Sequence, residues 1–233
     1  TGGVYVVAAD VDGDALADIA VSADVGGGAR VTIFSSARGS VLANFLGIDD
    51  KDFRGGTRVS FGDVNGDGLA DLAVAAGYQG GPRVALFDGA SLRSGSQLRL
   101  VNDFFIFEKE LRNGAFVTLG DLNGDGFADV IGGGGPSGGP RLLALDGKAL
   151  LDGLGPVPLA NFFADDPALR DGVQVAAKDL DGDPFADLVV AVPTPSGAKV
   201  TTYPGATLIP SGEPPAQDKL EPFPDPLTGI FVG

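Results

Sequence analysis

The chain has 233 residues and a formal net charge of −15, with 44% hydrophobic residues and 38 glycines. This length is enough for one large domain or two small ones, and the composition favours a buried core joined by many tight turns. The acidic balance argues against a nucleic-acid partner, because nucleic-acid binding requires a basic face. The absence of His and Cys excludes disulfides, His-dependent triads and zinc sites built on those ligands.

The first element in chain order is a short apolar strand that leads into an acidic loop. Residues 4–7 read Val-Tyr-Val-Val, and residues 10–18 read Asp-Val-Asp-Gly-Asp-Ala-Leu-Ala-Asp. Oxygen ligands therefore stand at positions 1, 3, 5 and 9 of a nine-residue loop, which suits Ca²⁺ with its about 6–8 oxygen ligands in flexible geometry. The β-branched run 19–21 follows, so the loop connects two strands. It is not an EF-hand, which needs a Glu at position 12 and a helix after the loop.

The same loop occurs four times in one register. Its first aspartates are separated by 53, 58 and 58 residues, a period that predicts repeated supersecondary units at about 3–55, 56–113, 114–171 and 172–228. Asx-rich turns without metal are the alternative interpretation. The recurrence of the ninth-position Asp favours calcium, with up to four ions. The predicted side-chain ligands are Asp10, Asp12, Asp14 and Asp18; Asp63, Asn65, Asp67 and Asp71; Asp121, Asn123, Asp125 and Asp129; Asp179, Asp181, Asp183 and Asp187.

Each loop is followed by a second strand, a Gly-rich turn, a basic residue, a third strand and an aromatic fourth strand. Four short strands per unit predict an all-β protein built of four-stranded β-propeller blades in a single domain, 1–233. The first strands, including Val6 and Phe116, are expected to be the most enclosed. No helix is predicted, and residues 148–151 form a turn at most. The basic residues are interpreted either as a ring for an anionic ligand or as structural ion-pair partners: Arg30, Arg83, Arg141 and Lys199.

The C-terminal stretch departs from the repeat. Residues 204–226 hold seven of the 16 prolines, which predicts an irregular outer edge because Pro is poor in central strands. Residues 229–233 then repeat the opening strand pattern and are interpreted as the start of a further repeat. The alternative is that this strand pairs beside the Pro-rich edge, so the four repeats form either a complete propeller or part of a larger one.

The pattern Gly-strand-Asp-x-Asx-Gly-Asp-Gly-x-Ala-Asp-strand resembles the FG-GAP repeat of integrin α-subunit propellers. It is still more similar to the FG-GAP-like or VCBS repeats of bacterial surface and secreted proteins. The resemblance implies that the calcium loop joins the first two strands of a blade. It also implies a backbone carbonyl ligand at position 7, contributed by Leu16, Leu69, Phe127 and Phe185. Position 6, where Gly is usual, is Ala15 in the first loop and Pro184 in the fourth, which predicts weaker sites there.

The expected function is that of a non-enzymatic, calcium-binding propeller module of an extracellular, secreted or cell-surface protein. It would serve as a rigid scaffold for adhesion, with a protein or glycan as partner. A lectin-like propeller is the alternative, although the chain has no Trp and three Tyr residues for stacking sugars. A carboxylate-dependent hydrolase is a further alternative. No apolar run approaches the ~18 residues of a membrane span.

Overall fold

The protein is described here by a computed structural model that covers residues 2–223 and 230–232. Its strands form four antiparallel four-stranded sheets, each a simple meander in chain order. The strands are, in sheet 1, β1 (Val4–Ala9), β2 (Asp18–Ala23), β3 (Arg30–Ser35) and β4 (Ser40–Leu46); in sheet 2, β5 (Thr57–Gly62), β6 (Asp71–Ala76), β7 (Arg83–Phe87) and β8 (Phe104–Phe105); in sheet 3, β9 (Ala115–Gly120), β10 (Asp129–Gly134), β11 (Arg141–Leu145) and β12 (Pro158–Phe163); in sheet 4, β13 (Gln174–Lys178), β14 (Asp187–Thr194), β15 (Gly197–Tyr203) and β16 (Asp218–Phe223).

The chain forms two compact units, Thr1–Val117 and Thr118–Gly233. The first unit contains sheets 1 and 2, the second contains sheet 4 and most of sheet 3, and the division falls inside β9. The predicted all-β class is confirmed, with the meander topology of propeller blades. The single domain over 1–233 stays a prediction. No helix in the part of the chain that the structure describes is long and apolar enough to cross a membrane.

Each sheet has two faces, which we define by the first strand. The front face carries the residue four positions before the first Asp of the loop, and the back face is the opposite side. In the first unit, the back face of sheet 1 packs on the front face of sheet 2. The core cluster formed there includes Val31, Ile33, Ala43 and Phe45 from sheet 1 and Val59, Leu72, Val74 and Phe87 from sheet 2.

One aromatic contact marks this packing mode in both units. Phe45 on the back of sheet 1 meets Phe87 on the front of sheet 2 edge-to-face, with ring centroids 4.8 Å apart. In the second unit, Phe162 on the back of sheet 3 meets Tyr203 on the front of sheet 4 in the same way, at 5.1 Å. Such edge-to-face pairs are a favoured aromatic geometry. At these two contacts, aromatic residues of neighbouring sheets pack against each other.

A buried arginine connects the first strands of the first unit. The Arg58 guanidinium lies 5.1 Å from the ring centroid of Tyr5 and 5.0 Å from that of Phe116. These three residues occupy the same position, five residues before a loop. Arg58 also lies 3.4 Å from a carboxylate oxygen of Asp24. The expected burial of Phe116 is confirmed, but the expectation for Val6 is wrong, since 57% of it is exposed on the front of sheet 1.

Two short helices correct the helix-free prediction: α1 (Gly89–Arg93) and α2 (Gly147–Leu151). Each begins after an Asp whose carboxylate accepts from a backbone N–H of the first turn, Asp88 from Ser91 and Asp146 from Ala149. This N-cap stabilises a turn of helix that is too short to show an apolar periodicity.

The Pro-rich stretch is more regular than predicted, because it contains the edge strand β16 as well as a 3-10 turn, Gly205–Thr207. Residues 230–232 form no strand, and Ile230 packs against Ala191 and Ala198 of sheet 4. The remaining residues of the predicted strand 229–233 lie outside the described residues.

Candidate metal centre

The four acidic loops occupy equivalent places in the four sheets. Each connects the first strand to the second, and the ninth-position Asp is itself the first residue of the second strand. Neighbouring loops are linked within each unit. The Ala70 N–H donates to the Asp10 carbonyl at 3.4 Å, and the Ala186 N–H donates to the Asp121 carbonyl at 2.6 Å. The sequence pattern thus predicted both the position of the loops and the strands that flank them.

The first-position Asp shapes each turn. Its Oδ1 accepts from the backbone N–H of the Gly at position 4 at 2.6–2.7 Å in all four loops. That Gly has a positive φ, between 73° and 87°, which an L-residue rarely adopts. The carboxylates that organise the four turns in this way are Asp10, Asp63, Asp121 and Asp179. The Asx-turn role is therefore present in every loop, beside any role in binding metal.

Position 6 requires a left-handed backbone in three loops. Gly68 and Gly126 have φ of 84° and 86°, and Ala15 adopts 66° despite its Cβ. Each donates its N–H to Oδ2 of the first Asp at 2.8 Å. Pro184 has no N–H, so Asp179 does not receive this hydrogen bond. The Asp179 carboxylate accepts from Gly182 and Asp181 instead.

The ninth-position Asp is fully buried in all four loops. Its Oδ2 accepts from the backbone N–H of position 2 at 2.8–3.1 Å. Its Oδ1 accepts, at 2.8–3.1 Å, from an N–H located 18 residues later, just beyond the third strand. The donors of this second hydrogen bond are Ser36, Gly89, Gly147 and Gly205. The Asp therefore joins the loop to the third strand, a structural role that the spacing of the loop residues did not predict.

The sequence does carry a signal for this hydrogen bond, which is the Gly that stands 18 residues after the ninth-position Asp in three of the four repeats. Three of the four donors are Gly, and a Cβ at Gly89 would lie 2.3 Å from the Ala70 carbonyl oxygen, with equally close approaches at Gly147 and Gly205. The fixed 18-residue interval between Asp and Gly therefore reflects a close backbone approach. Burial raises the pKa of Asp71 to about 6 and that of Asp129 to about 7, although the N–H donors of Gly89 and Gly147 act in the opposite direction.

Two loops bring three carboxylates together at positions 1, 3 and 9. In each set, oxygen atoms of the three residues lie within 4.8 Å of one another. The sets are Asp10, Asp12 and Asp18 in the first loop and Asp179, Asp181 and Asp187 in the fourth. These are the loops for which position 6 predicted weaker sites. The second and third loops have Asn at position 3, so they gather fewer charges.

Asp12 differs from the other third-position residues. It is 3% exposed, and neither of its carboxylate oxygens has a hydrogen-bond partner among the described residues. The Arg38 guanidinium lies 3.7 Å from Asp12 Oδ2, but the Arg38 side chain is 64% exposed. By contrast, Asn65, Asn123 and Asp181 each accept a backbone N–H with Oδ1. Buried polar atoms are normally satisfied, so the Asp12 oxygens fit a cation held in this loop.

The predicted calcium ligands at loop positions 5 and 7 do not belong to these carboxylate sets. The carboxylates at position 5 each accept the N–H of position 7 at 2.8–3.0 Å, and they are not members of the two carboxylate sets. They are Asp14, Asp67, Asp125 and Asp183. Coordination through these carboxylates, and through the carbonyls of Leu16, Leu69, Phe127 and Phe185, stays a prediction.

The recurring basic residues are paired with polar side chains near the fourth strand. Arg30 donates to Asn44, and Arg141 donates to Asn161 at 3.2 Å. Arg83 lies 3.3 Å from Asp103, and Lys199 lies 2.9 Å from Asp165. These contacts support the structural interpretation of the series.

Residues 63–132, which include the second and third loops, match the FG-GAP-like repeat. The structural comparison reaches further along the chain. Rhamnogalacturonan lyase YesW superposes with a TM-score of 0.50 over 85% of the chain, and exotype rhamnogalacturonan lyase YesX superposes with 0.51 over the same share. Both are 15% identical, so this likeness concerns the fold. The chain spans 46% and 44% of the length of these two lyases.

Proposed function

We propose that this chain is a calcium-binding FG-GAP-like propeller module, in which the first loop holds its ion through Asp10, Asp12 and Asp18. The observation that carries the proposal is the buried Asp12 carboxylate, whose two oxygens have no hydrogen-bond donor in the described structure. A buried carboxylate without a partner is costly unless it is paired or binds a metal. A bound Ca²⁺ supplies the positive charge and the oxygen coordination that these atoms need.

The other three loops are proposed to bind calcium through the equivalent positions, for up to four ions. As in the first loop, their first carboxylates accept the N–H of position 4 and their ninth carboxylates accept the N–H of position 2. Asn65 and Asn123 supply a neutral oxygen at position 3, which lowers the charge of these sites relative to the first. The order of affinity expected from charge alone is therefore first and fourth loops before second and third.

The role proposed for the whole module is a rigid scaffold for adhesion or protein binding, without catalytic activity, in an extracellular or surface protein. The carboxylates of the repeat are already engaged as turn acceptors and proposed metal ligands, which leaves few to act as an acid–base pair. Loops that lack a position-12 Glu suit the weaker calcium affinities that are typical of extracellular modules.

Calorimetric titration of calcium into the metal-stripped chain tests the proposal. We expect the wild type to bind calcium at several sites and Asp12→Ala to bind one ion fewer per chain. Asp50→Ala is the matched control, because the Asp50 carboxylate accepts from the backbone N–H groups of Asp52 and Phe53, outside the four loops, so it should retain the full stoichiometry. An unchanged stoichiometry in Asp12→Ala, or no binding to the wild type, would refute the assignment.

A second candidate function, carbohydrate binding, is favoured by one cleft in the second unit. The cleft has a volume of about 350 Å³ and is lined by carboxylates, hydroxyls and the Lys199 ammonium. Asp165 and Lys199 form an ion pair there, which lowers the pKa of Asp165 against the effect of its burial. Acceptors and donors of this kind fit sugar hydroxyls or a sugar carboxylate. The two structural neighbours are named as lyases of the polysaccharide rhamnogalacturonan.

An array of neutral and acidic oligosaccharides, probed with and without calcium, tests this candidate. Binding that is lost in Lys199→Ala and retained in the exposed control Glu110→Gln would support it. No binding to any glycan in the presence of calcium would refute it.

A further inference from the structure

The front face of sheet 1 is the exception among the four sheets. On the other three sheets, the equivalents of Val4, Val6, Ile19 and Phe34 are buried. Val6 is 57% exposed, whereas Val59, Val117 and Val175 are each less than 9% exposed. Phe34 is 39% exposed, whereas its equivalents Phe87, Leu145 and Tyr203 are buried. Together with Val4, Ile19 and Val41, these side chains form an exposed apolar sheet face, which usually indicates an interaction surface.

The chain itself shows what covers such a face. Within the first unit, the front of sheet 2 is covered by the back of sheet 1, and Phe87 receives the ring of Phe45. Within the second unit, the front of sheet 4 receives Phe162 from the back of sheet 3. The natural cover for the front of sheet 1 is therefore the back face of another sheet of this type, with a large apolar side chain opposite Phe34.

The back face of sheet 4 meets this requirement. Leu220 pairs with Val200 as Phe45 pairs with Val31 and as Phe162 pairs with Leu142. Leu220 is 58% exposed, and its neighbour Val189 on the same face is half-buried, although the equivalent of Val189 in sheet 1, Ala20, is fully buried. Ile230 covers the other end of this back face, near Ala191 and Ala198. A single chain therefore exposes one front face, on sheet 1, and one back face, on sheet 4. Faces of these two kinds pack together inside each of its two units.

We propose that the front face of sheet 1 is occupied by the back face of sheet 4 of a second copy of this chain, with Leu220 of one copy packed against Phe34 of the other. The two surfaces are different, so the contact is head-to-tail, and it leaves one face free at each end of a pair of copies. It is independent of the calcium proposal, and its test is carried out in saturating calcium.

The association is measured by sedimentation equilibrium of the full chain over a wide range of concentration. Val6→Asp blocks the front face and Leu220→Asp blocks the back face. Each should weaken self-association at least about tenfold, because a carboxylate would be buried in an apolar contact. Both positions are exposed in the single chain, so the melting temperatures should not change. Val4→Asp is a second front-face variant, and Leu154→Asp, a comparably exposed loop position, is the matched control.

Mixing the two blocked variants gives the decisive result. Val6→Asp retains a free back face and Leu220→Asp retains a free front face. At a concentration at which each variant alone is monomeric, the mixture should therefore form a one-to-one dimer and nothing larger. The proposal is overturned if the wild type is monomeric at every concentration, or if Leu154→Asp weakens association as strongly as the face variants. Association that survives in Leu220→Asp but not in Val6→Asp would indicate front-to-front pairing and would also overturn it.

Discussion

The substitution Asp12→Ala should have opposite effects on stability with and without calcium. The Asp12 carboxylate is buried and receives no hydrogen bond from the described residues, and its contact with Arg38 is a long ion pair to an exposed side chain. Such a surface pair contributes at most about 1 kcal/mol. An unsatisfied buried polar group costs about 1–3 kcal/mol. In EGTA, the variant should therefore be as stable as the wild type or more stable, by up to about 2 kcal/mol.

In calcium the sign should reverse. A cation that binds only the folded chain stabilises it by about 2.7 kcal/mol when its concentration is 100 times the dissociation constant. Loss of the first site should remove about this amount, so Asp12→Ala becomes less stable than the wild type. Urea denaturation in excess calcium and in EGTA measures both values. Asp50→Ala, which removes hydrogen bonds to the backbone N–H groups of Asp52 and Phe53, should lose about 0.5–1.5 kcal/mol in both conditions. A loss of stability for Asp12→Ala that is equal in both conditions would refute the assignment of Asp12 as a metal ligand.

Three further predictions concern packing, backbone and pH. Phe116→Ala should lower the free energy of unfolding by about 3–5 kcal/mol in chemical denaturation, because the ring is buried against Arg58; a loss below about 1 kcal/mol would contradict this packing. Ala15→Gly should raise the free energy of unfolding by up to about 1 kcal/mol. The left-handed backbone costs an L-residue about 1–2 kcal/mol, and the greater entropy of Gly in the unfolded chain offsets part of the gain. No gain would argue against the left-handed turn. In EGTA, the raised pKa values of Asp71 and Asp129 mean that the folded chain binds protons more tightly than the unfolded chain. Stability to urea should therefore rise as the pH falls from about 8 to about 4. A fall in stability over this range would contradict the burial of these carboxylates.

The sequence predicted the repeated features of the fold well, because they depend on local chemistry. The Asp and Gly residues at fixed loop positions specify a turn, and the apolar runs on either side specify strands, so the loops and the first three strands of each sheet follow directly. At position 6, where the family resemblance implies Gly, Ala15 adopts the left-handed backbone with a φ of 66°. The match of residues 63–132 to the FG-GAP-like repeat agrees with the repeat pattern of the loops.

The features that the sequence did not reveal depend on tertiary context. Val6 has the same apolar character as Val59, and only the packing of neighbouring sheets makes one exposed and the other buried. The role of Asp18 as a link to Ser36 requires knowledge of where the third strand ends. The helix that begins after Asp88 is only five residues long, so its N-cap was its one signal.

Calcium-dependent stability tests the central claim most directly. Calorimetric melting of the chain should be compared in excess calcium and in EGTA, together with a count of the metal ions that co-purify with it. We expect bound calcium, up to four ions per chain, and a melting temperature that falls strongly in EGTA, because each bound ion contributes about 2.7 kcal/mol at 100 times its dissociation constant. Mg²⁺ should restore little of the loss, since it demands octahedral geometry and retains its waters. Identical melting curves, with no calcium bound, would contradict the account and leave the four loops as Asx turns without a metal.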